Sequence, residues 1–202
     1  MRTTPDTRLV LSITVILLLV MIGYHLSPVA AIRSDPEQSQ RRDPLKLPLR
    51  QPKIVVKKRQ RQLFLYSDNK LVRTYRIGLG LSPLGDKVRQ GDRRTPEGDF
   101  YVFTKNNRSA FYLSLGVSYP NEAHAARGLR DGLISKAQYD AIMRALRAGK
   151  TPPQNTRLGG DIYIHGNGAS SDWTWGCVAL EDTDVRELFD AIPVGTPVRI
   201  EP

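Results

Sequence analysis

The sequence predicts a mainly β domain, built as a β-sandwich or partly closed barrel of mixed strands with a few short helices, behind an N-terminal apolar leader helix. Short runs rich in Val, Ile, Leu and Tyr recur between residues 53 and 119, and turn clusters separate them. Helical apolar spacing occurs in only two later stretches, 135–148 and 182–192. A chain of 202 residues suits one domain of roughly 150 residues with a leader and a linker.

The first 32 residues have the layout of an export signal. Two arginines precede the apolar run 9–22, and small residues follow it. The run is short for a bilayer span, which needs about 20 apolar residues, but an extension to Val29 reaches that length. We therefore predict a signal peptide or signal anchor at 1–32, with residues 9–29 as the anchor in the inner membrane. The body of the protein is then exported to the periplasm or cell envelope.

Residues 33–52 are predicted to form a proline-rich basic linker. Most of the formal charge of +10 lies at 41–62, which holds nine basic residues against Asp43 alone. One interpretation is a solvated linker followed by an exposed edge strand whose lysines discourage edge pairing. The alternative is attraction to an anionic envelope polymer or a membrane surface. We expect no nucleic acid partner, because the leader exports the protein.

The domain itself is predicted at residues 53–202. Its strands are expected, in order, at 53–57, 62–66, 71–77, 99–104, 111–119, 161–164 and 197–201, with an apolar segment at 178–180. A turn cluster at 67–70 makes a hairpin of the second and third strands. The loop between the third and fourth contains Pro96 and Gly98, which are placed for a tight turn.

Two helices are predicted in the C-terminal half. Ser135 or Asp131 can cap the first, which a glycine then stops. Asp182 or Thr183 can cap the second, which a proline ends. Each helix has one apolar face, so both are expected to pack against the sheet.

The only cysteine, Cys177, lies twelve positions after His165. A thiolate is the reactive form of cysteine, and a nearby imidazole can generate it. In an oxidising compartment a single thiol is a liability unless it is buried or used. Gly176 allows close backbone approach, and its N–H with that of Cys177 can form an oxyanion hole. On the residues alone, a nucleophile and a buried structural cysteine are equal alternatives.

The sequence predicts neither a metal nor a cofactor. A zinc site needs three or four ligands, usually with one close-spaced pair. Here Cys177, His165 and His124 would have to meet from three distant segments, and His124 is assigned to a polar loop.

Two motifs point to one family. Ile-His-Gly at 164–166 is followed, after a loop rich in glycine and serine, by Trp-Gly-Cys-Val at 175–178. The segment 91–98 reads Gly-Asp-Arg-Arg-Thr-Pro-Glu-Gly. Together they resemble the YkuD-type L,D-transpeptidase catalytic domain, and the resemblance extends over residues 53–201.

This resemblance implies a cysteine-dependent reaction on peptidoglycan stem peptides. By analogy, Cys177 attacks the carbonyl between the L-centre of a diamino acid and a terminal D-residue, forming a thioester. His165 takes the thiol proton and later activates the incoming amine, while the Gly166 carbonyl orients its ring. Asp172 is expected to hold its own loop, with orientation of His165 as the alternative. If water resolves the thioester, the enzyme is a carboxypeptidase or amidase; a non-catalytic envelope-binding module is the second hypothesis.

Two positions depart from the family's common pattern. Trp175 replaces the histidine of Ser-His-Gly-Cys, and Ala179 stands where arginine or asparagine is common. Recognition of the acceptor and of the substrate carboxylate is therefore open. We expect substrate contacts from Arg94 or its neighbour Arg93, from Tyr119 and from Trp175.

Overall fold

The structure, a computed structural model, describes residues 43–202. Its strands are β1 (Lys53–Lys57), β2 (Gln62–Ser67), β3 (Lys70–Arg76), β4 (Gly98–Ser109), β5 (Tyr112–Val117), β6 (Tyr163–His165), β7 (Val178–Ala179) and β8 (Pro197–Glu201). Its helices are α1 (Glu122–Arg130), α2 (Lys136–Arg147) and α3 (Asp182–Ala191). None of these helices has the length and apolar content of a membrane span. The predicted leader at 1–32, and the linker as far as residue 42, lie outside the described residues.

The strands form one mixed sheet in the order β3-β2-β1-β8-β4-β5-β6-β7. The pairs β1–β8 and β6–β7 are parallel, and the other neighbours are antiparallel. The long strand β4 changes partner along its length, pairing with β8 at 98–101 and with β5 from Val102 onward. A register shift between Val102 and Thr104 accompanies the change. Because irregular pairing bends a strand, the sheet curls at β4. The predicted mainly β fold of mixed strands is confirmed.

The two ends of the curled sheet approach each other through the chain that follows β3. Gly78 and Ala179 exchange backbone hydrogen bonds of 2.9 and 2.8 Å, and Gly80 forms a bridge with Thr174. Gly78 and Gly80 allow this close approach, since an added Cβ would lie 2.3 Å from the Ser171 carbonyl oxygen at Gly78. The edge strand β7 is thereby partly covered, which protects its unpaired backbone groups.

Strand β1 is central, which corrects the predicted exposed edge strand. It pairs with β2 on one side and β8 on the other, and Ile54, Val55 and Val56 are all buried. A strand covered on both faces has a continuous apolar run, as this one does. Its lysines therefore do not guard an edge. Lys58, just beyond the strand, is only 2% exposed.

Of the cations that the structure describes between residues 43 and 62, three form the ion pairs given next. They are Arg50 with Asp68, Lys58 with Glu97, and Arg61 with Asp172, at N···O distances of 3.2, 2.7 and 2.7 Å. The Lys58 ammonium also donates to the carbonyls of Gly85 and Thr95. This lysine holds the loop between β3 and β4 in place, so its charge is not available to an outside polymer.

The described part of the predicted linker packs on the sheet. The compact unit that contains the sheet begins at Pro44, and Leu45 and Leu49 pack against the main core. The Arg50 carbonyl accepts hydrogen bonds from the Asp68 N–H at 2.8 Å and the Ser67 hydroxyl at 3.1 Å. Residues 44–52 therefore belong to the folded unit.

His124, which the sequence predicted to lie in a polar loop, lies in helix α1. Asn121 caps it by accepting a hydrogen bond from the His124 N–H at 3.1 Å. The helix buries only His124, Ala125 and Gly128, so it lacks the apolar stripe that would have revealed it. His124 is 2% exposed, and its Nε2 lies 2.9 Å from Asp86. Burial opposes ionisation of Asp86, but the hydrogen bond from His124 prevails and lowers the pKa of that carboxyl.

The two predicted helices are present, with one difference in capping. Ser135 caps α2 in a capping box with Gln138, as one of the two predicted alternatives. The N-cap of α3 is Glu181, which makes no side-chain capping hydrogen bond, so neither Asp182 nor Thr183 is the cap. Glu181 lies directly before the first turn of α3 and Asp182 lies in it, and a negative charge at this end of a helix interacts favourably with the helix dipole.

Candidate active site

The pairing of β6 with β7 brings the distant histidine and cysteine together. Ile164 lies opposite Val178, and His165 lies opposite Ala179, in parallel register. Cys177, directly before β7, is thereby placed beside the start of β6. Cys177 and His165 line the same cavity of about 320 Å³. The intervening residues form the crossover loop that a parallel pair requires.

His165 is held as a neutral base. Its Nδ1 lies 2.7 Å from the Gly166 carbonyl oxygen, which can only accept, so Nδ1 carries the proton and Nε2 the lone pair. The ring stacks on Phe111 at a centroid distance of 4.7 Å and meets the edge of Trp173 at 5.5 Å. Burial lowers the pKa of His165, although the bond to Gly166 opposes this. At neutral pH the imidazole is therefore uncharged and ready to accept a proton.

Cys177 is held as a thiol by backbone groups of β6 and the residues before it. Its Sγ donates to the Asp161 carbonyl and accepts from the Tyr163 N–H, both at 3.4 Å. Burial raises the pKa of the Cys177 thiol to about 11, against a smaller opposing effect of the Tyr163 N–H. The cavity therefore holds a neutral thiol and a neutral imidazole.

This protonation state predicts slow alkylation of Cys177 at neutral pH. Because only the thiolate reacts, a raised pKa depletes the reactive form below about pH 11, and the rate climbs as the pH rises toward that value. At pH 8.5 we expect iodoacetamide to react about a hundred-fold more slowly with the native chain than with the urea-unfolded chain. The rate would be followed by mass spectrometry. A native rate that is already maximal near pH 7 would instead indicate a preformed thiolate–imidazolium pair.

The predicted oxyanion donor Gly176 has a hydrogen-bond partner of its own in this structure. Its N–H donates to the Thr174 hydroxyl at 3.1 Å. The position requires glycine for another reason. Its φ is +131°, and an added Cβ would lie 2.8 Å from the Arg94 carbonyl oxygen. Gly176 thus lets the backbone of the nucleophile pack directly on the loop between β3 and β4.

Gly176→Ala is expected to lower the free energy of unfolding by about 3 kcal/mol, because it combines an unfavourable φ with a backbone clash. Gly132→Ala is the matched control. Gly132 also has a positive φ, of +69°, but no atom lies within 4 Å of its added Cβ, so a loss of about 1 kcal/mol is expected. Urea unfolding of both full-length variants measures the difference. Equal losses would show that the Arg94 contact is unimportant.

The motif at 91–98 contacts the backbone of Cys177. Asp92 accepts hydrogen bonds from the backbone N–H groups of Val88, Arg89 and Arg94 and from the buried Lys87 ammonium. Two threonine hydroxyls, of Thr95 and Thr174, donate to the Cys177 carbonyl at 3.4 and 2.8 Å. The Thr95 contact therefore joins the two motifs, which lie far apart in sequence.

Comparison with known proteins identifies this arrangement. Residues 51–200 match the family YkuD, described as the L,D-transpeptidase catalytic domain. The chain belongs to the YkuD family. A search of curated proteins found no match to the sequence.

Solved structures with a similar fold include three bacterial proteins of low sequence identity. An L,D-transpeptidase from Mycobacterium smegmatis is 11% identical, with a TM-score of 0.46, over 75% of this chain and 59% of that one. The helical cell shape determining protein Pgp2 from Campylobacter jejuni is 22% identical, with a TM-score of 0.49, over 74% and 47%. An L,D-transpeptidase from Xylanimonas cellulosilytica is 18% identical, with a TM-score of 0.44, over 81% and 66%. This chain covers less than two thirds of each of these proteins.

Of the three side chains expected to bind substrate, none lines the cavity of this YkuD domain. Tyr119 is fully buried, and its hydroxyl donates to the Leu158 carbonyl at 3.0 Å, so it is a core residue and the prediction for it is wrong. Arg94 is half-buried, and its guanidinium lies 3.4 Å from the Asp86 carbonyl oxygen. Trp175 is 70% exposed outside the cavity, with the Arg93 guanidinium 5.1 Å above its ring.

No sequence signal indicated which residues complete the cavity around Cys177 and His165. One wall of the cavity consists of the end of β4 (Asn106, Arg108 and Ser109), the two residues between β4 and β5 (Ala110 and Phe111), and Ser114 of β5. It reaches the active site because β5 pairs with β6, with Ser114 opposite His165. Asp161 and Tyr163 complete the lining. The pairing of β5 with β6 joins segments far apart in sequence, and the polar residues around the hairpin turn show no apolar periodicity. No sequence pattern therefore predicted that the hairpin lines the cavity.

Asp172 has a structural role in the YkuD domain. Asp172 accepts a bidentate hydrogen bond from Arg61 and another from the Leu79 N–H at 2.9 Å, so it holds its own loop. Among residues 43–202, no group of three or more His, Cys, Asp or Glu side chains is arranged to hold a metal ion.

Proposed function

We propose that this YkuD domain is a cysteine-dependent L,D-transpeptidase that acts on peptidoglycan stem peptides through a thioester acyl-enzyme. The observation that carries the proposal is the placement of the Cys177 thiol and a neutral, correctly protonated His165 in one cavity. Membership of the L,D-transpeptidase catalytic domain family supports the same reaction class.

In the acylation step, the substrate carbonyl lies between the L-centre of the diamino acid and the terminal D-residue. The lone pair on His165 Nε2 takes the thiol proton as Cys177 Sγ attacks the carbonyl carbon. The C–S bond forms, the C–N bond breaks, and the imidazolium returns the proton to the leaving amine. Because the thiol pKa is raised, proton transfer accompanies attack.

The oxyanion that forms during attack needs a hydrogen-bond donor. Of the two backbone groups predicted for this task, the Gly176 N–H is already engaged by Thr174. The Cys177 N–H is therefore the member of the pair assigned to the oxyanion. Its position is fixed by the two threonine hydroxyls that hold the Cys177 carbonyl.

In the second step, an amine of another stem peptide attacks the thioester and forms the cross-link, while water gives hydrolysis. His165, neutral again after acylation, accepts a proton from the attacking nucleophile and delivers it to the Cys177 sulfur. The same two residues thus serve both half-reactions.

The proposal places the protein in the cell envelope. An apolar run at 9–22 with basic residues before it supports export, and residues 9–29 are the segment that would anchor the chain in the inner membrane. Between residues 43 and 62, the described cations outside those three ion pairs support attraction to an anionic envelope polymer or membrane surface.

The proposed function is tested with the full-length chain and purified stem tetrapeptides. Release of the terminal D-residue together with a cross-linked dimer, both followed by mass spectrometry, is the expected result. Release without dimer would make the enzyme a carboxypeptidase. Neither product, at enzyme concentrations comparable to the substrate, would overturn the proposal.

A further inference from the structure

The cavity wall carries a carboxylate that the reaction described above does not use. Asp161 directly precedes the segment that leads into β6, lines the cavity beside Cys177 and is exposed. Within residues 43–202, no cation forms an ion pair with it. Its backbone is fixed on both sides, since its N–H donates to the Gln154 side-chain oxygen at 2.8 Å and its carbonyl accepts from Cys177 Sγ at 3.4 Å.

This carboxylate is unfavourable for the first half-reaction. Negative charge beside a thiol opposes its ionisation, and Asp161 adds to the effect of burial in raising the pKa of Cys177. The backbone at this position does not require the negative charge, because asparagine tolerates its φ of +54° as well as aspartate does. The charge and position of Asp161 instead suit a cationic ligand that arrives after the thiol has reacted.

The second half-reaction supplies such a ligand. An acceptor amine is an ammonium ion at neutral pH and must come close to the thioester carbonyl on Cys177, which lines the same cavity as Asp161. A free α-amino acid centre also carries a carboxylate, and the exposed Arg108 is the cation on the opposite cavity wall. Within the described residues, no carboxylate forms an ion pair with Arg108.

We propose that Asp161 binds the ammonium group of the acceptor amine and thereby favours transfer of the acyl group over hydrolysis. This inference rests on the proposed thioester mechanism and assigns to it an acceptor site. The acceptor class is an amine that is cationic in solution, carried on a stem peptide.

The chemical step balances with one proton released. The bound ammonium first loses a proton to solvent, and the neutral amine attacks the thioester carbon. A C–N bond forms, the C–S bond breaks, and the second amine proton passes through His165 to the sulfur. The products are the cross-linked peptide, the free thiol and the released proton. Asp161 takes no part in bond making; it raises the local concentration of the amine.

The test is the ratio of transfer product to hydrolysis product from a single acyl-enzyme. Because both products come from one thioester, changes in acylation rate cancel. In Asp161→Asn the side chain keeps its shape, and asparagine tolerates the φ of +54° at this position. With a stem tripeptide as acceptor, we expect the ratio to fall about ten-fold, since a charge-assisted hydrogen bond is lost.

Two controls make the test specific to charge. Hydroxylamine resolves thioesters as an uncharged nucleophile, so its ratio to hydrolysis should differ little between Asp161→Asn and the natural sequence. Asp140→Asn removes a carboxylate that pairs with Lys136 on an exposed face of α2, and it should keep the natural ratio with both acceptors.

The outcomes separate the two proposals. If the natural chain forms no acyl-enzyme, the proposed function itself fails. If the natural chain forms the acyl-enzyme, and Asp161→Asn keeps its ratio with the stem tripeptide, only the acceptor site is overturned. An equal fall with tripeptide and hydroxylamine would also overturn it, because the effect would not depend on the charge of the acceptor.

Discussion

Cys177→Ala is expected to reduce release of the terminal D-residue by at least a thousand-fold, to roughly the level without enzyme. The reason is that Sγ is the atom that forms the thioester in the proposed mechanism, and the sequence has no second cysteine to replace it. Release would be measured with stem tetrapeptides and the full-length chain.

The loss should be chemical and not structural. Sγ makes only two long contacts of 3.4 Å, so the urea unfolding midpoint of Cys177→Ala should stay close to that of the natural chain. Turnover retained by a folded Cys177→Ala protein would contradict the assignment of the nucleophile.

The second large effect is expected for His165→Gln, with a reduction of about a hundred- to ten-thousand-fold in the rate of D-residue release. Glutamine retains a polar side chain of similar reach but cannot accept and return the thiol proton. Because the pKa of Cys177 is raised, few molecules would hold a thiolate without the imidazole. The residual rate of the variant should therefore increase with pH up to about 11.

His124→Gln is the matched control for the histidine. His124 is as buried as His165 but contacts Asp86 and Asn121 instead of the cavity. We expect a loss of about 1–3 kcal/mol in the free energy of unfolding, with the rate per folded molecule within a few-fold of the natural value. A rate for His165→Gln that matched the His124→Gln rate would contradict the role of His165 as the base.

Much of the fold could be predicted because its signals are local. The strand runs, the turn at 67–70 and the capped helix after Ser135 each depend on residues close together in sequence. Strand β1 could not be placed, because its central position depends on pairing with β8, which lies more than 140 residues later. Its lysines suggested an exposed edge strand, because the sequence does not show which strands lie on either side of it.

Helix α1 and the docked segment 44–52 were missed for a different reason. The core-facing side of α1 consists of small residues and His124, so burial there gives no apolar pattern. The docked segment is proline-rich, and its two packed leucines, Leu45 and Leu49, are too few to distinguish it from a tether.

The candidate site could be predicted only at residues whose type itself suggests reactive chemistry, such as cysteine and histidine. A single cysteine and a histidine at a strand end are unusual enough to be found, and Gly166 follows the histidine directly. Tyr119 was wrongly expected to bind substrate because an aromatic side chain suits the core as well as a cleft. Asp161 and the hairpin turn were not found, since common polar residues become significant only when the fold places them beside Cys177.

The thioester on Cys177 is tested most directly by intact-mass measurement of the full-length chain after brief incubation with a carbapenem and, separately, with a stem tetrapeptide. We predict one covalent adduct in each case. The adduct should lie on the Cys177 peptide, be removed by hydroxylamine in the tetrapeptide sample, and be absent from Cys177→Ala. An adduct on another residue, or release of the D-residue with no adduct on Cys177 even after rapid quenching, would contradict the thioester mechanism.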